Sequence, residues 1–227
     1  MTHDPIDHEL AGRIQHTLIA AGTTRQEILD HCAQCVEYGF NAAMVPGSWV
    51  ETAAAELAGT GVVVASALDF PTVGVMTSAG KAAEAAELVR RGARQIDIGV
   101  QVGWLRSGMY EEFRDDIAGV VKATMVPIKV MLELPLLTPE QRDTAVDLAV
   151  EAGAAYLKNA SGGGVETANA ASIGYLAERA PGNVQVKASG AITTREQAHA
   201  LLTAGASLLG TSAGVTIVTS DDSAASY

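Results

Sequence analysis

Basic residues are scarce in this chain. Against 26 aspartates and glutamates stand 15 lysines and arginines, a net charge of −11 over 227 residues. A surface of that sign repels phosphodiester backbones and anionic lipid, so nucleic acid and membrane surfaces become poor partner candidates. Cysteine is scarcer still, with Cys32 and Cys35 of "EILDHCAQCVEYGF" the only two. Their C-x-x-C spacing raises a redox pair or half of a zinc site, but no second ligand pair is present to complete a tetrahedral metal site. Ile28, Cys32, Cys35 and Val36 instead share one helical stripe behind a Thr24/Glu27 capping box, which predicts two buried core thiols. His31 lies off that stripe and is expected in solvent. Long apolar runs are missing as well. None approaches the roughly 20 residues that cross a bilayer, and the opening "MTHDPIDHELAGRIQH" lacks the basic start and apolar stretch of a signal peptide. A soluble cytoplasmic protein is the expectation. Nor is there a low-complexity linker or a shift in composition to mark a domain boundary, and with 48% hydrophobic residues the chain can bury a full core as one large α/β domain.

What is present is a repeating alternation. Short apolar strands are predicted near "RIQHTL", "NAAMVP", "GVVVASAL", "QIDIGV", "PIKVMLEL", "AAYLKN", "VQVKAS" and "SLLGTS", with helices between them. The helix in "LLTPEQRDTAVDLAVEAG" is punctuated most clearly: Thr138 as cap, Pro139 at the first helical position, Gln141 completing the box and Gly153 ending the run. Eight strands alternating with helices over this length predict a single (β/α)8 barrel spanning residues 1–218, with 219–227 as a flexible C-terminal tail. A doubly wound open sheet is the alternative.

Two lysines close matching segments. Lys158 in "AAYLKNASGGG" ends the sixth strand and Lys187 in "NVQVKASGAIT" the seventh, and in such a barrel the strand ends carry the active face. Two ammonium groups close together in a partly dry cavity disfavour each other's charge, so one of them becomes a neutral amine able to attack a carbonyl. Either lysine alone reads as a snorkelling strand end; the pair points to Schiff-base chemistry. Asp97, inside the apolar strand "QIDIGV", needs a buried partner, which the lysines would supply, and a carboxylate there could relay protons. Glu133 of "KVMLELPLLT" is a weaker candidate of the same kind, able to orient a lysine.

In order and spacing, "IQHTLIAAGTT", "YGFNAAMVP", "ALDFPTVGVMTSAGKAAEAAELVRRGARQIDIGVQVGWLRSG", "IKVMLELPLLT", "YLKNASGG", "VKASGAITTREQA" and "AGASLLGTSAG" resemble the deoxyribose-phosphate aldolases, class I aldolases with a (β/α)8 fold. The resemblance implies that Lys158 forms the Schiff base, Lys187 perturbs its protonation and Asp97 takes part in proton transfer. It implies reversible cleavage of 2-deoxyribose 5-phosphate to acetaldehyde and glyceraldehyde 3-phosphate, without metal or organic cofactor, in a homodimer whose only other partner is an aldehyde or sugar phosphate. It places the phosphate against Gly162, Gly163, Gly190, Ala191, Gly210 and Ser212, with Ser161, Thr17 and Glu133 also on the substrate side. The ending "DDSAASY" is similar to family tails whose terminal tyrosine, here Tyr227, reaches the site. The chain also departs from the family pattern: Gln15 replaces an aspartate, Asn159-Ala160 replace hydroxyl residues, Thr193 replaces an arginine and Ala213 a serine. A relative acting on a different, unphosphorylated aldehyde pair, or a barrel that binds a metabolite without turning it over, therefore stays open.

Overall fold

The computed structural model describes residues 6–219. Its eight parallel strands are β1 (Ile14–Thr17), β2 (Ala42–Met44), β3 (Val63–Leu68), β4 (Gln95–Gly99), β5 (Ile128–Met131), β6 (Tyr156–Lys158), β7 (Gln185–Ser189) and β8 (Leu208–Thr211). They pair in chain order and close β8 onto β1. Parallel neighbours cannot be joined by a tight hairpin, and helices fill the crossovers, giving a single (β/α)8 barrel. Each strand falls within its predicted segment. One end differs: Lys187 does not close β7, because Ala188 and Ser189 continue the ladder against Leu209 and Gly210. Among the described residues, no helix is long and apolar enough to cross a membrane. Tyr227 and the rest of the expected tail from residue 220 onward lie outside the described residues.

The helices begin where their side chains can satisfy free backbone N–H groups. Thr24 and Glu27 form a closed capping box at the start of Arg25–Tyr38, and Gly39, at φ 73, ends that helix. Thr138 and Gln141 do the same for Pro139–Glu151. Ile28, Cys32 and Cys35 are fully buried against the barrel. Burial pushes both thiols up, Cys32 to about 11, so neither is a thiolate near neutrality. Val36, expected on the same stripe, is 45% exposed. Eight residues beyond Ile28 it stands about 80° around the helix, past the edge of the contact.

His31 corrects a second expectation, since it is only 4% exposed. His16 of β1 points outward from the barrel toward the same helix, and the two imidazoles stack with centroids 4.6 Å apart. The outer face of a barrel strand is itself covered by helices, so a position flanking the apolar stripe is buried too. Burial, with a smaller contribution from His16, lowers the His31 imidazole to about 4. As the pH falls below about 6.5, the unfolded chain takes up this proton before the folded one, so stability is lost between about pH 6.5 and about pH 4, by on the order of 3 kcal/mol. Denaturant titrations across that window should show the loss, and His31→Phe should flatten it; an unchanged slope in the variant would rule His31 out as its source.

Lys81 lies in the helix Ser78–Arg90 and is completely buried. Its Nζ donates to the Gly99 carbonyl and Asp116 Oδ2, both at 2.7 Å, and lies 3.1 Å from Asp69 Oδ2. The Asp69 carboxylate also accepts the N–H groups of Gly74, Val75 and Met76. This ion trio ties the segment following β3, which contributes Phe70 to the pocket described below, to the end of β4.

Candidate active site

A pocket of about 200 Å³ opens at the C-terminal ends of the strands. Thr17, Met44 and Ala67 from β1 to β3, Asp97 from β4, Lys158 from β6 and Lys187 from β7 all reach it. The loops after β6, β7 and β8 complete its wall with Ser161, Gly162, Gly163, Gly190, Ala191 and Ser212, and Gly210 of β8 also lines it. Thus the expected Schiff-base residues and the expected substrate and phosphate contacts share one cavity, with two exceptions. Tyr227 lies outside the described residues, and Glu133 sits behind the wall.

The floor is an ionic cluster. Asp97 Oδ2 accepts hydrogen bonds from Lys158 Nζ at 2.9 Å and Lys187 Nζ at 2.7 Å. Strand register brings this about: Lys158 and Lys187 are direct partners across β6 and β7. A third lysine joins them. Lys129 of β5 is paired with Asp97 across β4 and β5, and its Nζ lies 3.4 Å from Asp97 Oδ1 without forming a hydrogen bond. Sequence reasoning missed Lys129, although the signal was present: a lysine inside the apolar run "PIKVMLEL" has the same difficulty as Asp97 in "QIDIGV". Burial alone would raise the Asp97 carboxyl, but Lys158, Lys187 and Lys129 outweigh it and hold Asp97 below the ordinary carboxylate range. Lys187 is driven well below the ordinary lysine range by burial, reinforced by Lys158 and Lys129 and opposed by Asp97. Burial also lowers Lys129.

The walls are held from behind. Glu133, at φ 53, does not touch a lysine; its Oε1 accepts the Ser161 N–H at 2.5 Å and so fixes the loop after β6. Burial raises its carboxyl, and Oε2 has no hydrogen-bond partner. Asn159 stitches the β6 and β7 ends together, accepting the Ser189 N–H at 2.9 Å and donating to the Ser189 carbonyl at 3.0 Å. Gly190, at φ 121, has no room for a side chain, since a Cβ would lie 2.0 Å from the Glu166 carbonyl oxygen.

A closed parallel barrel whose mouth presents an amine backed by a carboxylate and two further lysines is equipped as a class I aldolase, which condenses a lysine with a carbonyl substrate. The comparisons with known proteins agree. The chain is 40% identical over 211 residues to the deoxyribose-phosphate aldolase of Methanothermobacter thermautotrophicus, covering 92% of this chain and 94% of that protein. It is 37% identical over 214 residues to the Bacillus cereus deoxyribose-phosphate aldolase, covering 93% and 96%. Among solved structures, the tetrameric deoxyribose phosphate aldolase of Aeropyrum pernix superposes with a TM-score of 0.85 at 27% identity, over 93% of this chain and 90% of that one. No family model matches the chain. The chain belongs to the deoxyribose-phosphate aldolase family and is an aldehyde-lyase.

Proposed function

We propose that the chain catalyses reversible cleavage of 2-deoxyribose 5-phosphate to acetaldehyde and glyceraldehyde 3-phosphate, with Lys158 as the Schiff-base lysine. One observation carries the choice of lysine: the Lys158 side chain is 6% exposed, at the pocket wall, against 1% for Lys187 and 0% for Lys129. In the cleavage direction the Lys158 amine adds to the C1 aldehyde of the open-chain sugar, and the carbinolamine hydroxyl takes up a proton from solvent and leaves as water, giving a protonated imine whose later hydrolysis returns that proton. That cation accepts the electrons of the C2–C3 bond as the C3 hydroxyl gives up its proton. Glyceraldehyde 3-phosphate leaves, and an enamine stays on Lys158. Protonation at C2 and hydrolysis of the imine release acetaldehyde and restore the amine. Asp97, ionised and hydrogen-bonded to both Lys158 and Lys187, is the group through which these protons pass.

The far end of the pocket supports a qualification about the phosphate. Apart from Lys158 and Lys187, both turned to Asp97, the described lining residues include no lysine or arginine. A phosphate there meets backbone N–H groups and the hydroxyls of Thr193 and Ser212, so preference for the phosphorylated sugar is weak. A charged hydrogen bond contributes roughly 1.5 to 3 kcal/mol, so Thr193→Arg should raise that preference by about 10- to 150-fold. The test measures acetaldehyde release and kcat/KM for 2-deoxyribose 5-phosphate and for 2-deoxyribose, with both proteins. Release from neither sugar would overturn the activity and favour a barrel that only binds its metabolite. A native preference of several thousandfold, unmoved by the arginine, would overturn the weak phosphate site alone.

A further inference from the structure

Two carboxyl groups lie under the influence of Lys158, and their surroundings displace them in opposite directions. Burial would raise Asp97, but Lys158, Lys187 and Lys129 outweigh it and hold that group below the ordinary carboxylate range. Burial raises Glu133, Ser161 and Lys158 oppose the rise only in part, and Glu166 adds to it. Carboxyls pushed apart in this way divide base from acid. Asp97 is suited to receive protons, whereas the departure of water from a carbinolamine calls for an acid that still holds one.

The geometry puts Glu133 one residue away from the reacting atoms. Its side chain is completely buried, and its backbone is left-handed at φ 53 and ψ 49. A residue with a side chain keeps that conformation only where the surrounding structure enforces it, commonly at functional sites. Both sides of the enforcement are visible: the Leu134 N–H donates to the Asn159 carbonyl at 3.0 Å, and Glu133 Oε1 accepts the Ser161 N–H at 2.5 Å. The Ser161 hydroxyl bears on the same carboxyl, and Ser161 lines the pocket together with Lys158. Glu133 Oε2, although buried, has no hydrogen-bond partner among the described residues. A bare carboxylate oxygen is costly in such a place, and a proton on the carboxyl makes it a donor.

We propose that Glu133 is a positioning residue that works through Ser161: it turns the Ser161 hydroxyl toward the carbinolamine on Lys158 and keeps the proton with which the carbinolamine oxygen leaves as water. This rests on the reading of Lys158 as the Schiff-base lysine. In the empty pocket the carboxyl takes its proton from solvent through the same hydroxyl. Once the carbinolamine has formed, Ser161 gives its proton to the carbinolamine oxygen and is reprotonated by Glu133. The C–O bond breaks with its electron pair going to the departing water, and the lone pair of the Lys158 nitrogen closes the C=N bond. One positive charge appears on the imine and one negative charge on Glu133, so the pair stays neutral. In hydrolysis water adds to the imine carbon, and the proton it sheds returns through Ser161 to Glu133.

Glu133→Gln is the test, because its amide oxygen still accepts the Ser161 N–H while its nitrogen does not give up a proton. Quenched-flow trapping with acetaldehyde and borohydride should show imine formation slowed by about 100-fold near neutral pH, the scale of a lost general acid. The ratio of native to variant rate should shrink as pH falls and solvent acid replaces the carboxyl. In D2O the acetaldehyde released early should carry more deuterium at C2 per molecule than with native protein, since the imine waits longer for water while enamine protonation is untouched. Ser161→Ala, which keeps the backbone N–H on Glu133, should show the same slowing and the same rise in deuterium, and the double variant should be no slower than either single one, as residues acting as a unit behave. Thermal melts report the fold. Native trapping rates in folded Glu133→Gln, losses that multiply in the double variant, or slowing with no rise in deuterium per molecule would each overturn the proposal. If Glu133→Gln does not fold, Ser161→Ala decides: a native rate overturns the relay, and slow trapping with added deuterium supports it. Native protein that is not trapped at Lys158 overturns the Schiff-base assignment itself, an outcome distinct from trapped native protein with unaffected variants.

Discussion

Treated with acetaldehyde and borohydride, the native protein is expected to gain one ethyl group, on Lys158, and none on Lys129 or Lys187. All three amines sit in one cluster, so selectivity cannot come from basicity alone. It comes from access: Lys158 is the last residue of β6 and meets the cavity, whereas Lys129 is completely buried and lines no part of the pocket wall. Lys187 reaches the cavity but is held from two sides by Asp97 and Gln15. Lys122, the one exposed lysine of the chain, stands on the helix Tyr110–Thr124 and lines no part of the pocket. Lys158→Met, which keeps the length of the side chain and removes the amine, should abolish trapping and lower turnover by on the order of 10⁴-fold or more, as loss of a covalent nucleophile does. Peptide mapping of the reduced protein decides the matter. Label on Lys187 would exchange the roles of the two lysines, and label on the exposed Lys122 in place of Lys158 would remove the covalent mechanism.

Asp97→Asn should be nearly as damaging, in two measurable ways. It removes the carboxylate that lies against all three lysines, Lys129, Lys158 and Lys187, and preserves the shape of the side chain. Proton transfer loses its relay, and kcat should fall by about 10²- to 10⁴-fold. Stability should also fall, by about 3 to 5 kcal/mol, because the buried ammonium groups lose their counter-charge. The pH dependence has a definite sign. Burial already lowers Lys129 and Lys187, and loss of Asp97 removes the influence that opposed it. Below the ordinary lysine value near 10.4, the unfolded chain holds protons that the folded one has shed, so stability decreases as pH falls. Denaturation at about pH 6 should therefore show a larger loss than at about pH 9. Adding Lys129→Met to the variant should recover part of the stability and none of the turnover, since Lys129 does not line the pocket wall. Recovery of both together would mean that Asp97 acts only as a counter-charge and not in proton transfer.

Much of this was legible from residue order. The alternation of apolar strands with capped helices specifies local structure directly, because hydrophobic period, turn glycines and capping side chains act over a few residues; the boxes at Thr24 and Thr138 formed as read. Lys158 and Asp97 announced themselves for a related reason. A charge at the end of an apolar strand, or inside one, demands a partner whatever the fold.

What the linear order left undecided is which side chains meet. Lys129 becomes part of the site only because β4 and β5 pair in the register that sets it beside Asp97. Lys81 reads as an ordinary helix lysine until the closing of the barrel surrounds it with Asp69 and Asp116. His31 lies beside an apolar stripe, and its surroundings are decided by the imidazole of His16, arriving from β1 to stack on it, and by the Cys35 thiol 3.9 Å from its Nε2. Gln15 stands 172 residues from Lys187 in the chain and touches it because β8 closes onto β1. Local patterns determine which segments form strands and helices and which charges cannot stand alone. Barrel closure and strand register, which depend on packing over the whole chain, determine the partner each of those charges receives, and through it the protonation that the chemistry uses.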